Sequence, residues 1–256
     1  MDFPIQPTVG GVPINLHLIF ETLAFFVGFR YFLYLRKRVE DSINSQNRVW
    51  ILIGAAFGAF FFSRIVGNFE DPISLFSEPH PIWFYFANKT IVGGLLGGLL
   101  FVEITKKILG VERSSGDLFT YPLILAIVIG RIGCFTAGVA EPTYGLETSL
   151  PWGINLGDGI YRHPLPLYEI CFLLFLWFGL VRLEKKYKLR EGVRFEFFMI
   201  AYLVYRFSVG FLKPGFRFDF GLTTIQIVCF LGLLYYSRTL IALLISRSTL
   251  FERHHP

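Results

Sequence analysis

The sequence predicts an all-α integral membrane protein of seven transmembrane helices, with its N-terminus outside and its C-terminus inside. Three observations carry that prediction. Hydrophobic residues make up 54% of the 256-residue chain and charged residues only 17%, greasier than an ordinary soluble domain. Apolar runs near the roughly 20 residues needed to span about 30 Å of hydrocarbon recur along the chain. Basic residues gather in every second connection between those runs, the asymmetry that orients multi-pass proteins.

The runs lie at 14–35, 49–69, 90–109, 119–131, 165–183, 195–212 and 223–245. The first is too long for the core of a cleavable signal peptide and has no basic stretch before it, so no signal peptide is expected. Within it His17 stands four residues before Glu21, so on a helix the two share a face and can pair. Arg36, Lys37, Arg38 and Arg48 then form the first basic connection. The second run carries Gly54 and Gly58, and the third carries Gly93, Gly94, Gly97 and Gly98. Small residues four apart let helix backbones approach closely in lipid; the alternative is that Gly93 and Gly94 open a cavity beside Lys89 and Thr90. Arg64, inside the second run, is either a pocket wall or a buried partner of Glu21. Lys106, Lys107 and Arg113 form the second basic connection. The fourth run is short and reads as broken. Arg182, Lys185, Lys186, Lys188, Arg190 and Arg194 supply the third basic connection, and Arg238, Arg247 and Arg253 come in or after the last run. The net charge of +5 is therefore mostly a topology signal and an attraction to an anionic leaflet, with no nucleic-acid partner implied.

Between runs four and five the chain turns polar, giving one domain over 1–256 with an extracytoplasmic loop or cap at 132–164. Arg131, Glu141, Arg162, His163 and Glu169 fall in or beside this segment. Lys89, Arg131, Arg162, Arg206, Lys213 and Arg217 all lie at membrane depth or on the outer side, where topology does not explain them. Snorkelling, or pairing with Glu70, Asp71, Glu141, Glu169 and Asp219, accounts for any one of them. Together they suit an outward-facing pocket for a phospholipid headgroup. Cys134, Cys171 and Cys229 show neither a CxxC pair nor metal-ligand spacing, and no metal or cofactor is expected. Cys134, three residues after Arg131, is either a small residue in a tight loop or a nucleophile favoured by the nearby cation. There is no GxSxG, Walker loop or HExxH. The residues alone leave enzyme, transporter and lipid-binding scaffold open.

Several blocks resemble the bacterial prolipoprotein diacylglyceryl transferases: Val92-Gly-Gly-Leu95, Gly130-Arg-Ile-Gly-Cys-Phe-Thr-Ala-Gly138, Tyr144-Gly145, Pro151-Trp152-Gly153, Arg162-His-Pro-Leu-Pro-Leu-Tyr-Glu169, Tyr205-Arg206-Phe207 and Thr224-Ile-Gln-Ile227. Their order and spacing match over nearly the whole chain. The resemblance implies a seven-span inner-membrane enzyme whose site faces the periplasm. Such an enzyme takes the diacylglyceryl group of phosphatidylglycerol, places it on the lipobox cysteine thiol of an exported prolipoprotein, and releases glycerol phosphate. Negative charge then grows on phosphate, which preorganised arginines in a water-poor cavity stabilise, and a base must take the thiol proton. The resemblance puts Arg131 at the phosphate-binding position, Arg206 at a second basic position, and Lys213 where another arginine is usual. Residue reading and resemblance together give Arg131, Arg206, His163 and Glu141 as catalytic candidates. Lys89, Gly93, Gly94, Gly133, Cys134, Gly138, Tyr168, Glu169, Lys213 and His17 are the substrate-binding candidates.

The departures from the family pattern are specific. Val92 stands where a histidine usually precedes Gly-Gly-Leu, Cys134 replaces an asparagine, and Val139 replaces a glutamate. Ile19 replaces the tyrosine after the first-span His, and Gly210 replaces a span-six glutamate. Glu141, His163 or an already ionised thiol would take over from the missing histidine. Two other readings remain: a different acceptor with Cys134 carrying a covalent intermediate, or a phospholipid- or lipoprotein-binding membrane protein without catalysis. A two-tailed lipid also needs a lateral opening between helices, which the sequence does not locate.

Overall fold

The computed structural model describes residues 3–39, 41, 43–77 and 79–245. Arg247 and Arg253, assigned above to the last basic stretch, lie outside them. Polar caps set where helices begin. The Asn15 carboxamide accepts from Leu18 N at 3.1 Å to start α1 (Leu16–Arg38), and the Asn44 carboxamide accepts from Asn47 N at 2.8 Å to start α2 (Ser45–Asn68). Arg36, Lys37 and Arg38 occupy the last turn of α1, where cations complement the helix dipole. Two short helices follow, α3 (Pro72–Ser77) and α4 (Ile82–Ala87). Thr90 caps α5 (Ile91–Leu109), which ends at Gly110 in the left-handed region at φ +66°.

The fourth apolar run is not broken. It forms α6 (Asp117–Ala137), a helix of 21 residues that continues six residues past Arg131. Gly133 does not interrupt it because that glycine meets α1: a Cβ there would lie 2.9 Å from Phe20 Cβ and 3.3 Å from the His17 Cα. The helix stops at Gly138, whose φ of +59° and close approach to the Leu156 carbonyl exclude a side chain. The cap therefore starts at Gly138 with a 3₁₀ turn and carries a small antiparallel pair, Ile154–Asn155 with Tyr161–Arg162. It leads into α7 (Leu165–Lys186), which has Pro166 in its first turn. Then come α8 (Val193–Val209), α9 (Thr224–Tyr235) and α10 (Ser237–Ile245).

Among the described residues, five helical stretches are long and apolar enough to cross a membrane: Leu16–Arg38, Ser45–Asn68, Asp117–Ala140, Leu165–Lys186 and Val193–Leu212. Two of the seven apolar runs differ. α5 concentrates Glu103, Lys106 and Lys107 toward its C-terminal end, and run 223–245 divides at Tyr236 into the 12-residue α9 and the 9-residue α10.

α2 packs along α5 and α1 along α6, while α6 also meets α7 and α8, and α8 meets α9. Glycine sets the first of these contacts. A Cβ on Gly97 would lie 2.2 Å from Phe62 Cβ, one on Gly58 2.2 Å from the Gly97 carbonyl, and one on Gly93 2.5 Å from the Phe62 carbonyl. Gly93 is thus packed against α2, and close packing rather than a cavity explains it. The buried core draws Val92, Ile124, Leu173, Phe198, Tyr202 and Cys229 from five helices. Phe25, Phe26, Phe175 and Phe178 point outward, as lipid-facing side chains do.

Arg48 is not a free topology charge. It is 1% exposed, ion-pairs Asp41 and donates to the Ser115 carbonyl at 3.2 Å. Arg64 does not pair with Glu21; it donates to the Phe60 carbonyl at 2.9 Å and lies over the Phe60 ring at 3.7 Å.

Candidate functional site

The C-terminal ends of α6 and α8 and the N-terminal end of α7 bring three charged side chains into one buried group. Arg131 sits near the end of α6, Glu169 in the opening turns of α7 and Arg206 in the last turn of α8. The Glu169 side chain is 1% exposed, and its Oε2 is 2.9 Å from Arg131 Nη2 and 2.9 Å from Arg206 Nη1. Its Oε1 accepts from the Tyr202 hydroxyl at 2.7 Å. Tyr202 and Arg206 are four apart on α8 and so present one face. Two buried guanidiniums share one carboxylate, so the group carries a surplus positive charge in a medium that strengthens electrostatics. Arg131 Nε, Arg206 Nε and the Tyr205 hydroxyl are buried with no hydrogen-bond partner among the described residues. Buried donors of this kind call for an acceptor.

A second group adjoins the first through α6. Cys134, one turn after Arg131, has Sγ 3.6 Å from Arg131 Nη1 and also contacts the His17 side chain. His17 Nε2 lies 3.4 Å from Glu141 Oε1 and 3.8 Å from Glu21 Oε2, and Glu21 ion-pairs Lys89. The His17–Glu21 pairing expected from the spacing is present, and Glu141 joins it from the cap. The structure thus brings together Arg131, Arg206, Glu169, Cys134, His17 and Glu141, with Lys89 at the edge.

The other candidates lie elsewhere. His163 Nδ1 and the Tyr168 hydroxyl are 3.1 Å apart, and that hydroxyl accepts from Trp152 Nε1 at 2.8 Å, forming a chain inside the cap. Gly145 packs on that chain, since a Cβ there would lie 2.6 Å from His163 Cβ. Arg162 ion-pairs Asp158 at 2.7 Å and lies over the Tyr144 ring at 5.1 Å. Lys213 ion-pairs Glu70, tying the segment before α9 to the end of α2. Gly133 and Gly138 hold backbone close to backbone, as described for α6.

Tyr202 was missed in the sequence, although its position one helical turn before Arg206 was a signal. Thr224-Ile-Gln-Ile227 has a structural reason: Thr223 and Gln226 close a capping box, and Gln226 Nε2 donates to the Phe207 carbonyl at 3.1 Å. A Cβ on Gly210 would lie 2.7 Å from Gln226 Cγ, so this packing leaves no room for the glutamate usual there.

A family model described as prolipoprotein diacylglyceryl transferase matches residues 4–242. The chain is similar to phosphatidylglycerol–prolipoprotein diacylglyceryl transferases from three bacteria. The one from Campylobacter lari is 30% identical over 189 residues, 68% of this chain and 65% of that protein. The one from Campylobacter hominis is 28% identical, covering 88% and 85% of the two chains, and the one from Wolbachia pipientis is 28% identical, covering 91% and 93%.

Proposed function

The chain belongs to the prolipoprotein diacylglyceryl transferase family, and from that premise we propose that it moves the diacylglyceryl group of phosphatidylglycerol onto the lipobox cysteine thiol of an exported prolipoprotein. The observation that carries this reading is Glu169 shared between Arg131 and Arg206. The surplus positive charge and the unpartnered nitrogens of both arginines suit a phosphate that gains negative charge as its ester bond breaks. In the reaction the substrate sulfur attacks the glycerol carbon, a C–S bond forms, and the C–O bond breaks with its electron pair passing to glycerol phosphate. The thiol proton goes to His17, held by Glu141 at 3.4 Å, in place of the base absent at Val92. His163 has no such position, because its ring faces Tyr168 within the cap.

In this reading α5 and the broken α9–α10 pair complete seven crossings of the bacterial inner membrane, N-out and C-in, with the cap and the arginines on the periplasmic side. The basic connections support that orientation. Labelling of single cysteines placed at Thr148 and at Lys188 by a membrane-impermeant maleimide tests it, with only the first expected to react from outside.

Transfer itself is tested by reconstituting the protein with radiolabelled phosphatidylglycerol and a lipobox peptide. Label reaches the peptide with the native protein and does not with Arg131→Ala. A second reading has one observation in its favour, the contact of Cys134 with both Arg131 and His17: the diacylglyceryl group would pass through Cys134 to a different acceptor. That reading requires Cys134→Ser to abolish all transfer, and retained transfer dismisses it.

A further inference from the structure

α7 and α8 enclose an apolar groove that begins where the buried charges end. Its volume is about 500 Å³, and Phe172, Phe175, Leu176 and Gly179 line it from α7, with Phe197 and Ala201 opposite on α8. It opens sideways, since Phe175 is exposed and a Cβ on Gly179 would meet no atom within 4 Å. Phe172 joins the groove to the site. It stands one turn beyond Glu169 on α7, about 4.5 Å along the axis at the helical rise, and its ring stacks on Tyr205 with centroids 4.2 Å apart and an interplanar angle of 8°. Tyr205 precedes Arg206 on α8 and lies within electrostatic reach of Glu169, Arg206 and Arg131. Its hydroxyl, buried with no partner among the described residues, has no role in the transfer step. The stack holds that hydroxyl in place, and burying it without an acceptor costs free energy that a bound acceptor recovers.

We propose that the Tyr205 hydroxyl donates to an ester carbonyl of the donor lipid, while one acyl chain of that lipid lies in the α7–α8 groove and its phosphate meets Arg131 and Arg206. The assignment rests on the transfer reading for the identity of the donor. Three features follow one another along α7 and α8, away from Glu169: two cations, a neutral hydrogen-bond donor and an apolar trough. A diacyl glycerophospholipid presents its phosphate, ester carbonyl and acyl chain in the same order. The groove runs from Phe172 to Leu180, about 12 Å along α7 at the helical rise, so it holds the upper part of a chain and leaves the rest in the bilayer. The lateral opening that a two-tailed lipid needs then lies between α7 and α8. Tyr205 touches the carbonyl and not the reacting carbon, so it selects among lipids. A site built to hydrogen-bond a group rejects the analogue lacking it, because its own buried polar atom stays unpaired.

The test reconstitutes the full chain in phosphatidylethanolamine vesicles with a lipobox peptide and either radiolabelled diester phosphatidylglycerol or its dialkyl ether analogue, which keeps the phosphate and lacks the carbonyls. The native protein transfers from the diester form with kcat/KM about tenfold above the ether form, the effect of leaving one buried hydroxyl unpaired. Tyr205→Phe keeps the stack on Phe172 and brings the diester value down to that of the ether. A folding defect lowers both lipids alike and leaves their ratio intact, so the ratio reports recognition. Gly179→Trp, which fills the groove, lowers transfer from a palmitoyl lipid more than from a hexanoyl one. The rise in melting temperature that each lipid produces without peptide is measured in parallel. A larger rise with the diester form, in a native protein that transfers nothing, upholds the recognition and dismisses the transfer reading alone. Equal values for the two lipids in both assays of the native protein, or a preference that persists in Tyr205→Phe, overturns the proposal. Indifference of Gly179→Trp to chain length overturns the groove assignment.

Discussion

With the Glu169 carboxylate removed, Arg131 and Arg206 would face each other in a buried group with no counter-charge. Breaking a buried pair in this way costs about 3–5 kcal/mol, so Glu169→Gln is expected to lower the melting temperature and transfer together. Added phosphatidylglycerol should recover part of the stability, because its phosphate replaces the lost negative charge; a thermal scan with and without lipid checks this. His17→Ala is expected to lower kcat by about 100-fold, the usual contribution of a positioned base, while His163→Ala changes it little. Single-turnover assays on the two variants decide between the imidazoles. Cys134→Ser should keep transfer within the native range if the substrate thiol is the only nucleophile. At this scale the sequence was legible where a charge had no topological reason to exist, as for Arg131 and Arg206. For Tyr202 the spacing to Arg206 was the only signal, and its partner Glu169 lies 33 residues away on another helix.

Helix pairs are set by two kinds of contact. The α2–α5 pair depends on missing side chains: Gly97→Leu would place a Cβ 2.2 Å from Phe62 Cβ and force the helices apart. Overpacking of this sort costs about 1–3 kcal/mol, and Gly98→Ala, at a position with room, should cost far less; thermal unfolding in detergent compares them. The α1–α2 connection depends on charge. Burial pushes the Asp41 carboxyl up, but hydrogen bonds from Arg48, Ile43 N and Arg36 and the Arg48 charge outweigh it and hold the carboxyl below its ordinary value of 3.8. A carboxyl depressed in the folded state stabilises above the unfolded value, and that stabilisation disappears as pH falls through the lower folded value. Asp41→Asn should therefore lower the melting temperature at pH 7, and the difference from the native protein should shrink as the pH drops below about 3.8. The glycine spacing announced the first contact, since small residues four apart have one common use in lipid. The second was hidden, because Arg48 reads as an ordinary cytoplasmic charge until the connection before α6 brings the Ser115 carbonyl to it.

For the whole molecule, the surplus charge where the ends of α6, α7 and α8 meet means that an anionic lipid should bind the folded state and not the unfolded one. Saturation at about 100 times Kd stabilises by about 2.7 kcal/mol. Phosphatidylglycerol, but not diacylglycerol, is expected to raise the melting temperature, and Arg131→Ala should remove most of that rise.

The sequence by itself determined the membrane class, the number of apolar runs, the family and the cations that have no topological duty. These follow from composition and from spacing along one chain, which local physics reads directly. Only the tertiary structure decided that Arg131 and Arg206 share Glu169, that Glu141 reaches His17 while His163 stays in the cap, and that the fourth run continues to Ala137 as one helix. It also decided that the last run breaks at Tyr236. Each of these depends on which helices meet and at what height. The hydrophobic effect that drives a span into the bilayer is indifferent to its neighbours, so packing at glycine contacts and buried ion pairs between distant residues fix the arrangement.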